Sequence, residues 1–118
     1  KPDADRFLAA RRLATDMGCV VLLKGSTTVV AEPTGRVLVV TNGDARLATA
    51  GSGDVLAGII GTLLATGVPS FHAAAAGAWL HGEAANRAPA FGMVAGDIAD
   101  HLPAVWESVW DSGLAEQL

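Results

Sequence analysis

A run of small residues, Thr49-Ala50-Gly51-Ser52-Gly53-Asp54, passes directly into a long apolar segment, Val55 to Val68, and constrains this chain more than any other stretch. Glycines let backbone N–H groups converge with no Cβ in the way, and a helix N-terminus places partial positive charge where its first N–H groups lack partners. Such a loop binds anions: a phosphate or a developing oxyanion is held by donors fixed before it arrives. The pattern predicts a helix opening at Asp54 and ending at Gly67 and Pro69. No GxxxxGK[ST] is present, so the loop is not a P-loop, and Asp54-Val55-Leu56 after Gly53 breaks the dinucleotide pattern GxGxxG.

Asp54 admits two readings. In one it is a carboxylate that complements the helix dipole, worth about a few tenths of a kcal/mol. In the other, a carboxylate beside an anion hole is a general base that takes a proton from a hydroxyl as its oxygen attacks phosphorus.

Around this loop the chain alternates helical and strand patterns. Phe7, Leu8, Ala10, Leu13, Ala14 and Met17 recur at helical spacing beside Asp5, Arg6, Arg11, Arg12 and Asp16, predicting an amphipathic helix stopped by Gly18. Cys19 to Leu23 is too short for a helix and apolar on both faces, which predicts a buried parallel strand. Thr27 to Ala31 and Arg36 to Val40, joined by Glu32-Pro33-Thr34-Gly35, read as a hairpin at a sheet edge, and Thr41-Asn42-Gly43-Asp44 as a further turn. Ser70 is the expected N-cap of a helix reaching about Arg87. A last helical piece is expected from Ala95 to His101, with Pro103 behind it and another turn over Trp106 to Trp110.

Composition excludes several classes. With 118 residues, 51% hydrophobic and a net charge of −4, the chain is at most one domain and can bury enough surface to fold. Eight Lys and Arg against twelve Asp and Glu leave no basic excess for nucleic acid or an anionic membrane. Val55 to Val68 falls short of the roughly 18 to 20 residues that span a bilayer, and Lys1 to Met17 lacks the apolar core of a signal peptide. The single cysteine, Cys19, forms no internal disulfide and is expected to be a structural residue of a buried strand in a reducing cytoplasm. The apolar surplus implies either a homo-oligomer or a domain of which part is missing.

Lys24-Gly25-Ser26-Thr27-Thr28 follows the apolar strand, where α/β sheets present ligands beyond their strand carboxyl ends. Lys24 is then a candidate phosphate ligand; the plain alternative is a solvated lysine in a turn.

Leu23 to Gly67, followed by Ala73 to Ala85 and Phe91 to Pro103, closely resembles the carboxy-terminal half of the ADP-dependent NAD(P)H-hydrate dehydratases of the ribokinase-like superfamily. The resemblance implies an α/β fold, a three-layer α/β/α ribokinase-like domain of which residues 1–118 are the carboxy-terminal portion. It places Lys24, Gly25, Ser26, Thr27 and Thr28 on an element that holds the nucleotide phosphates. Gly51, Ser52 and Gly53 fall on the anion-hole loop and Asp54 on the catalytic aspartate beside the hydrated nicotinamide ring. Asn42 falls on a turn ahead of that loop, with substrate contact and a plain hairpin turn both open. The implied reaction uses ADP to phosphorylate the 6-hydroxyl of (S)-NAD(P)H hydrate and then eliminates phosphate. Mg²⁺ is implied as the donor's counter-ion, although no metal-ligand cluster is legible.

Two rivals stand beside this reading: a ribokinase-like kinase of a hydroxymethylpyrimidine or thiazole alcohol, and a truncated, non-catalytic nucleotide-binding fragment. Other residues point to packing. His72 and His81 are poorly spaced for zinc, His81 and Glu83 read as helix packing or surface, Asp97 as a cap, and Trp79, Trp106 and Trp110 as core or subunit contacts.

Overall fold

Two strands joined only by residues 24–27 must run antiparallel, because a parallel crossover needs about a dozen residues or more. A computed structural model describes the backbone of residues 2–43 and 45–112 and the side chains of 5–43 and 47–112. In it β1 (Val21–Leu23) pairs antiparallel with β2 (Thr28–Ala31), which pairs antiparallel with β3 (Val37–Val40). The expected parallel, buried strand is therefore corrected: among the described residues β1 has β2 as its neighbour, and it is half-buried. Cys19 lies before that strand and is exposed.

The sheet is covered on both faces. Helix α1 (Pro2–Met17) lays Ala10 and Ala14 against Val21, Leu23, Val29, Ala31 and Val37. Helix α3 (Ser70–Arg87) sets Phe71 and Ala74 against Leu22 and Val30 on the opposite face, as the period-two alternation of strand side chains requires. The three expected layers are thus present. Helices α2 (Ser52–Ala65) and α4 (Ala95–Asp111) then pack on α3 around Leu63, Leu80, Ala84, Ile98 and Val105. Small residues on α3 allow the close approach: a Cβ on Gly77 would lie 2.6 Å from Ile60.

Three boundaries differ from expectation. Helix α2 begins at Ser52, so Gly53 and Asp54 lie in its first turn with Gly51 as cap. Pro69, extended at φ −57° and ψ 145°, caps α3, and Ser70 is its first helical residue. Helix α4 runs through Pro103 to Asp111, since packing of Ile98, Val105 and Val109 offsets the lost backbone hydrogen bond, about 3 kcal/mol in an isolated helix. Trp79, Trp106 and Trp110 are 38%, 43% and 62% exposed rather than core residues. Asp97 caps α4 as expected, its carboxylate accepting the Val94 N–H at 2.9 Å. No described helix is long and apolar enough to cross a membrane. Of the predicted turn at 41–44, Asp44 lies outside the described residues.

Candidate nucleotide site

Gly51 adopts φ 86°, a left-handed conformation that a side chain strains, and this bend turns the chain into α2. Within the bend Ser52 N–H donates to Thr49 O at 3.1 Å and Asp54 N–H to Gly51 O at 3.1 Å. Those two donors are spent, so the convergence expected of the whole loop narrows to fewer groups. Gly53 contributes a first-turn N–H with no backbone acceptor among the described residues. Ser52 is 1% exposed, and its hydroxyl donates to Leu47 O at 2.5 Å, tying the loop to the 3₁₀ turn Ala45–Ala48.

Across from this bend, the chain leaving β1 forms a second loop. Thr28 is buried, and its hydroxyl donates to Gly25 O at 3.2 Å, closing the turn from within. Gly25 and Ser26 keep N–H groups without backbone acceptors among the described residues. Lys24 reaches over: its Nζ donates to Ser52 Oγ at 3.3 Å, and a Cβ on Gly53 would lie 3.2 Å from it. The two loops meet in an open cavity of about 320 Å³ lined by Lys24, Gly25, Ser26, Gly51, Ser52 and Gly53.

Of the residues singled out in the sequence, these six come together. Thr27 is half-buried and outside the lining, and Thr28 works from behind it. Asp54 is exposed, one residue past Gly53 in the first turn of α2, and is not itself part of the cavity wall. Asn42 is outside the cavity lining. Its Nδ2 donates to Trp79 O at 2.9 Å and Glu83 Oε2 at 3.0 Å, and its buried Oδ1, beside Gly82, has no partner among the described residues. Leu47, Ala48 and Thr49 also line the cavity. Only their position just before the glycine bend signals this.

His81 is packed, one of the two readings the sequence allowed. It is 2% exposed, and its Nε2 has no partner among the described residues. Burial holds its pKa below the ordinary 6.5, and the charge of Lys24 lowers it further, against a hydrogen bond with the Ser52 backbone that raises it. The histidine is thus a buried, neutral support beneath Ser52.

The donors gathered here are amides, hydroxyls and one ammonium, the chemistry of phosphate binding rather than metal chelation. Among the described residues no three His, Cys, Asp or Glu cluster to hold a metal ion. The fold is an α/β domain of ribokinase-like type, and at its strand end two loops bring amide, hydroxyl and ammonium donors to one cavity.

Comparison with known proteins sharpens that class. Residues 2–104 match the family model described as NAD(P)H-hydrate dehydratase. The ADP-dependent (S)-NAD(P)H-hydrate dehydratase of Neisseria meningitidis serogroup B is 54% identical over 101 residues, covering 81% of this chain and 34% of that protein. A bifunctional NAD(P)H-hydrate repair enzyme Nnr of Moorella thermoacetica is 46% identical over 109 residues, covering 89% of this chain and 21% of that one. The ADP/ATP-dependent NAD(P)H-hydrate dehydratase of Bacillus subtilis, co-crystallized with ATP/Mg²⁺ and soaked with CoA, superposes with a TM-score of 0.81 at 31% identity, covering 90% of this chain and 41% of that one. This chain belongs to the NAD(P)H-hydrate dehydratase family. It spans about a third of the length of the Neisseria relative.

Proposed function

We propose that this chain is the carboxy-terminal, nucleotide-binding portion of an ADP-dependent (S)-NAD(P)H-hydrate dehydratase, a cytoplasmic repair enzyme. The observation that carries the reading is the Lys24 Nζ to Ser52 Oγ contact at 3.3 Å, which joins two loops 28 positions apart into one cavity.

In this reading the Lys24 ammonium and the N–H groups of Gly25, Ser26 and Gly53 hold the phosphates of ADP. Lys24 neutralises charge as the terminal phosphoryl moves, and the fixed amides act in a site that needs no reorganisation. Asp54 accepts the proton of the substrate's 6-hydroxyl as that oxygen bonds to phosphorus and the bond to AMP breaks. Phosphate then leaves the ring carbon and a proton leaves its neighbour, restoring the double bond of NAD(P)H. Phosphorylation matters because hydroxide is a poor leaving group and phosphate a good one. The donor set fits Mg²⁺ only as a companion of the nucleotide: it would ride on phosphate oxygens, with Asp54 as the nearest carboxylate in sequence, and neutralise their charge.

The test is recovery of the reduced-nicotinamide absorbance when the complete enzyme that contains this portion is incubated with NADPH hydrate, ADP and Mg²⁺. Recovery is expected, and Asp54→Asn is expected to slow it by about a hundredfold or more with folding unchanged. A stable phosphorylated alcohol, or undiminished turnover by D54N, would remove the assignment.

A further inference from the structure

Helix α1 buries a stripe at every fourth residue: Ala10 and Ala14 are both fully buried against the sheet. The residue one turn earlier on that stripe is Arg6, a charged side chain where the pattern calls for an apolar one. Its sequence neighbours place it on the polar face, but the structure turns it under the end of β1. Arg6 Nη2 donates to Leu23 O at 3.2 Å and to Lys24 O at 3.5 Å, and a Cβ on Gly25 would lie 3.1 Å from the same nitrogen.

The pairing of Leu23 with Val29 is the last of the β1–β2 ladder, so the chain beyond it must find other partners for its carbonyls. Arg6 takes those of Leu23 and Lys24, and Thr28 takes that of Gly25. Three consecutive carbonyls are thus held from the protein side, while the N–H groups of Gly25 and Ser26 stay free of backbone acceptors among the described residues. A guanidinium suits this task because one planar nitrogen carries two hydrogens in fixed directions, whereas an ammonium is a strongly hydrated point charge.

We propose that Arg6 is the positioning residue of the phosphate site: it fixes the backbone of the Lys24-Gly25-Ser26 loop so that the Lys24 ammonium and the loop amides are aimed before the nucleotide arrives. This rests on the functional reading given above for the nucleotide, but its structural half does not. Arg6 touches neither substrate nor nucleotide in this role. It acts through Lys24.

Two measurements on Arg6→Ala and Arg6→Lys test it. Hydrogen exchange without any ligand is expected to speed about tenfold at the ladder amides that flank the loop, residues 21–23 and 28–31, in R6A, with the amides of α3 unchanged. Turnover is expected to show KM for ADP raised about tenfold, with kcat and KM for the hydrate within about twofold, because an aimed donor contributes to binding. R6K, which keeps the charge and loses the fork, is expected to fall between R6A and the parent in both. If R6A is poorly folded, R6K alone decides. Unchanged exchange at 21–23 and 28–31, a KM for ADP equal to the parent's, or a uniform fall in kcat with KM unmoved would overturn the role. A parent protein with no dependence on ADP would defeat the functional reading, and the exchange comparison would still decide the place of Arg6.

Discussion

The two loops of the cavity are held by opposite means. The Gly51 bend is fastened mainly from its own segment, by a left-handed glycine and the buried Ser52 hydroxyl on Leu47 O, with His81 of α3 beneath. The Lys24 loop is fastened from a distance, by Arg6 on a helix that precedes it in the chain and by Thr28 at the start of the next strand. A bend that carries its own geometry is rigid before anything binds. A loop held by borrowed donors is only as fixed as the helix that lends them. The contact between Lys24 and Ser52 is where the two systems meet, so changes at that seam are felt on both sides while changes on one side stay there.

The largest effect is expected at the seam itself. A Cβ on Gly43 would lie 2.7 Å from Ser26 O on one loop and 2.7 Å from Leu47 Cδ1 on the other, and the first of these is backbone that cannot swing aside. Gly43→Ala is predicted to cost about 1 to 3 kcal/mol of stability and to weaken ADP binding about tenfold or more, read by thermal unfolding and calorimetry. If both values stay unchanged, the loops are not packed as a unit. Ser52→Ala comes next. It removes the hydroxyl that bonds Leu47 O and receives Lys24, and a loss of about 1 to 2 kcal/mol is predicted with exchange increased both at residues 47–53 and at the β2 amides of residues 28–31. Exchange that rises at residues 47–53 alone would show that the Lys24 contact does not join the two loops.

The smallest effect is one of pH. Because folding lowers the pKa of His81 below 6.5, the unfolded chain binds more protons than the folded one in the interval beneath that value. Stability from this group is complete above about pH 6.5, declines as pH falls toward the folded pKa, and changes no further below it. His81→Gln is predicted to flatten that part of a stability profile. A slope that persists in H81Q would show that the neutral imidazole is not what holds the Gly51 bend.

The same contrast governs what the amino-acid sequence discloses. The Gly51 bend was legible because its cause is local: glycine, serine, glycine and aspartate followed by an apolar helix. Lys24 was legible by its place after an apolar strand, and the β2–β3 hairpin by Glu32-Pro33-Thr34-Gly35, where Gly35 takes φ 98°. Arg6 was not, since an arginine among charged neighbours looks solvated until tertiary packing turns its stripe inward. The partners of His81 and Asn42 were not legible for the same reason: the packing that buries the first, and the bonds that tie the second to Trp79 and Glu83 on α3, about forty residues away, are tertiary. The direction of β1 was decided by the length of the connection to β2, not by its apolar character. Helix α4 passed Pro103 because side-chain packing outweighed a backbone rule.

Titration of the isotopically labelled chain with ADP, followed by amide resonances, tests the two-loop site most directly. Resonances of Gly25, Ser26, Gly51 and Gly53 are predicted to shift together with one saturation curve. Shifts confined to the separate apolar groove of about 580 Å³ between α2 and α4, around Ile59, Leu63 and Trp106, or no shifts at all, would contradict it.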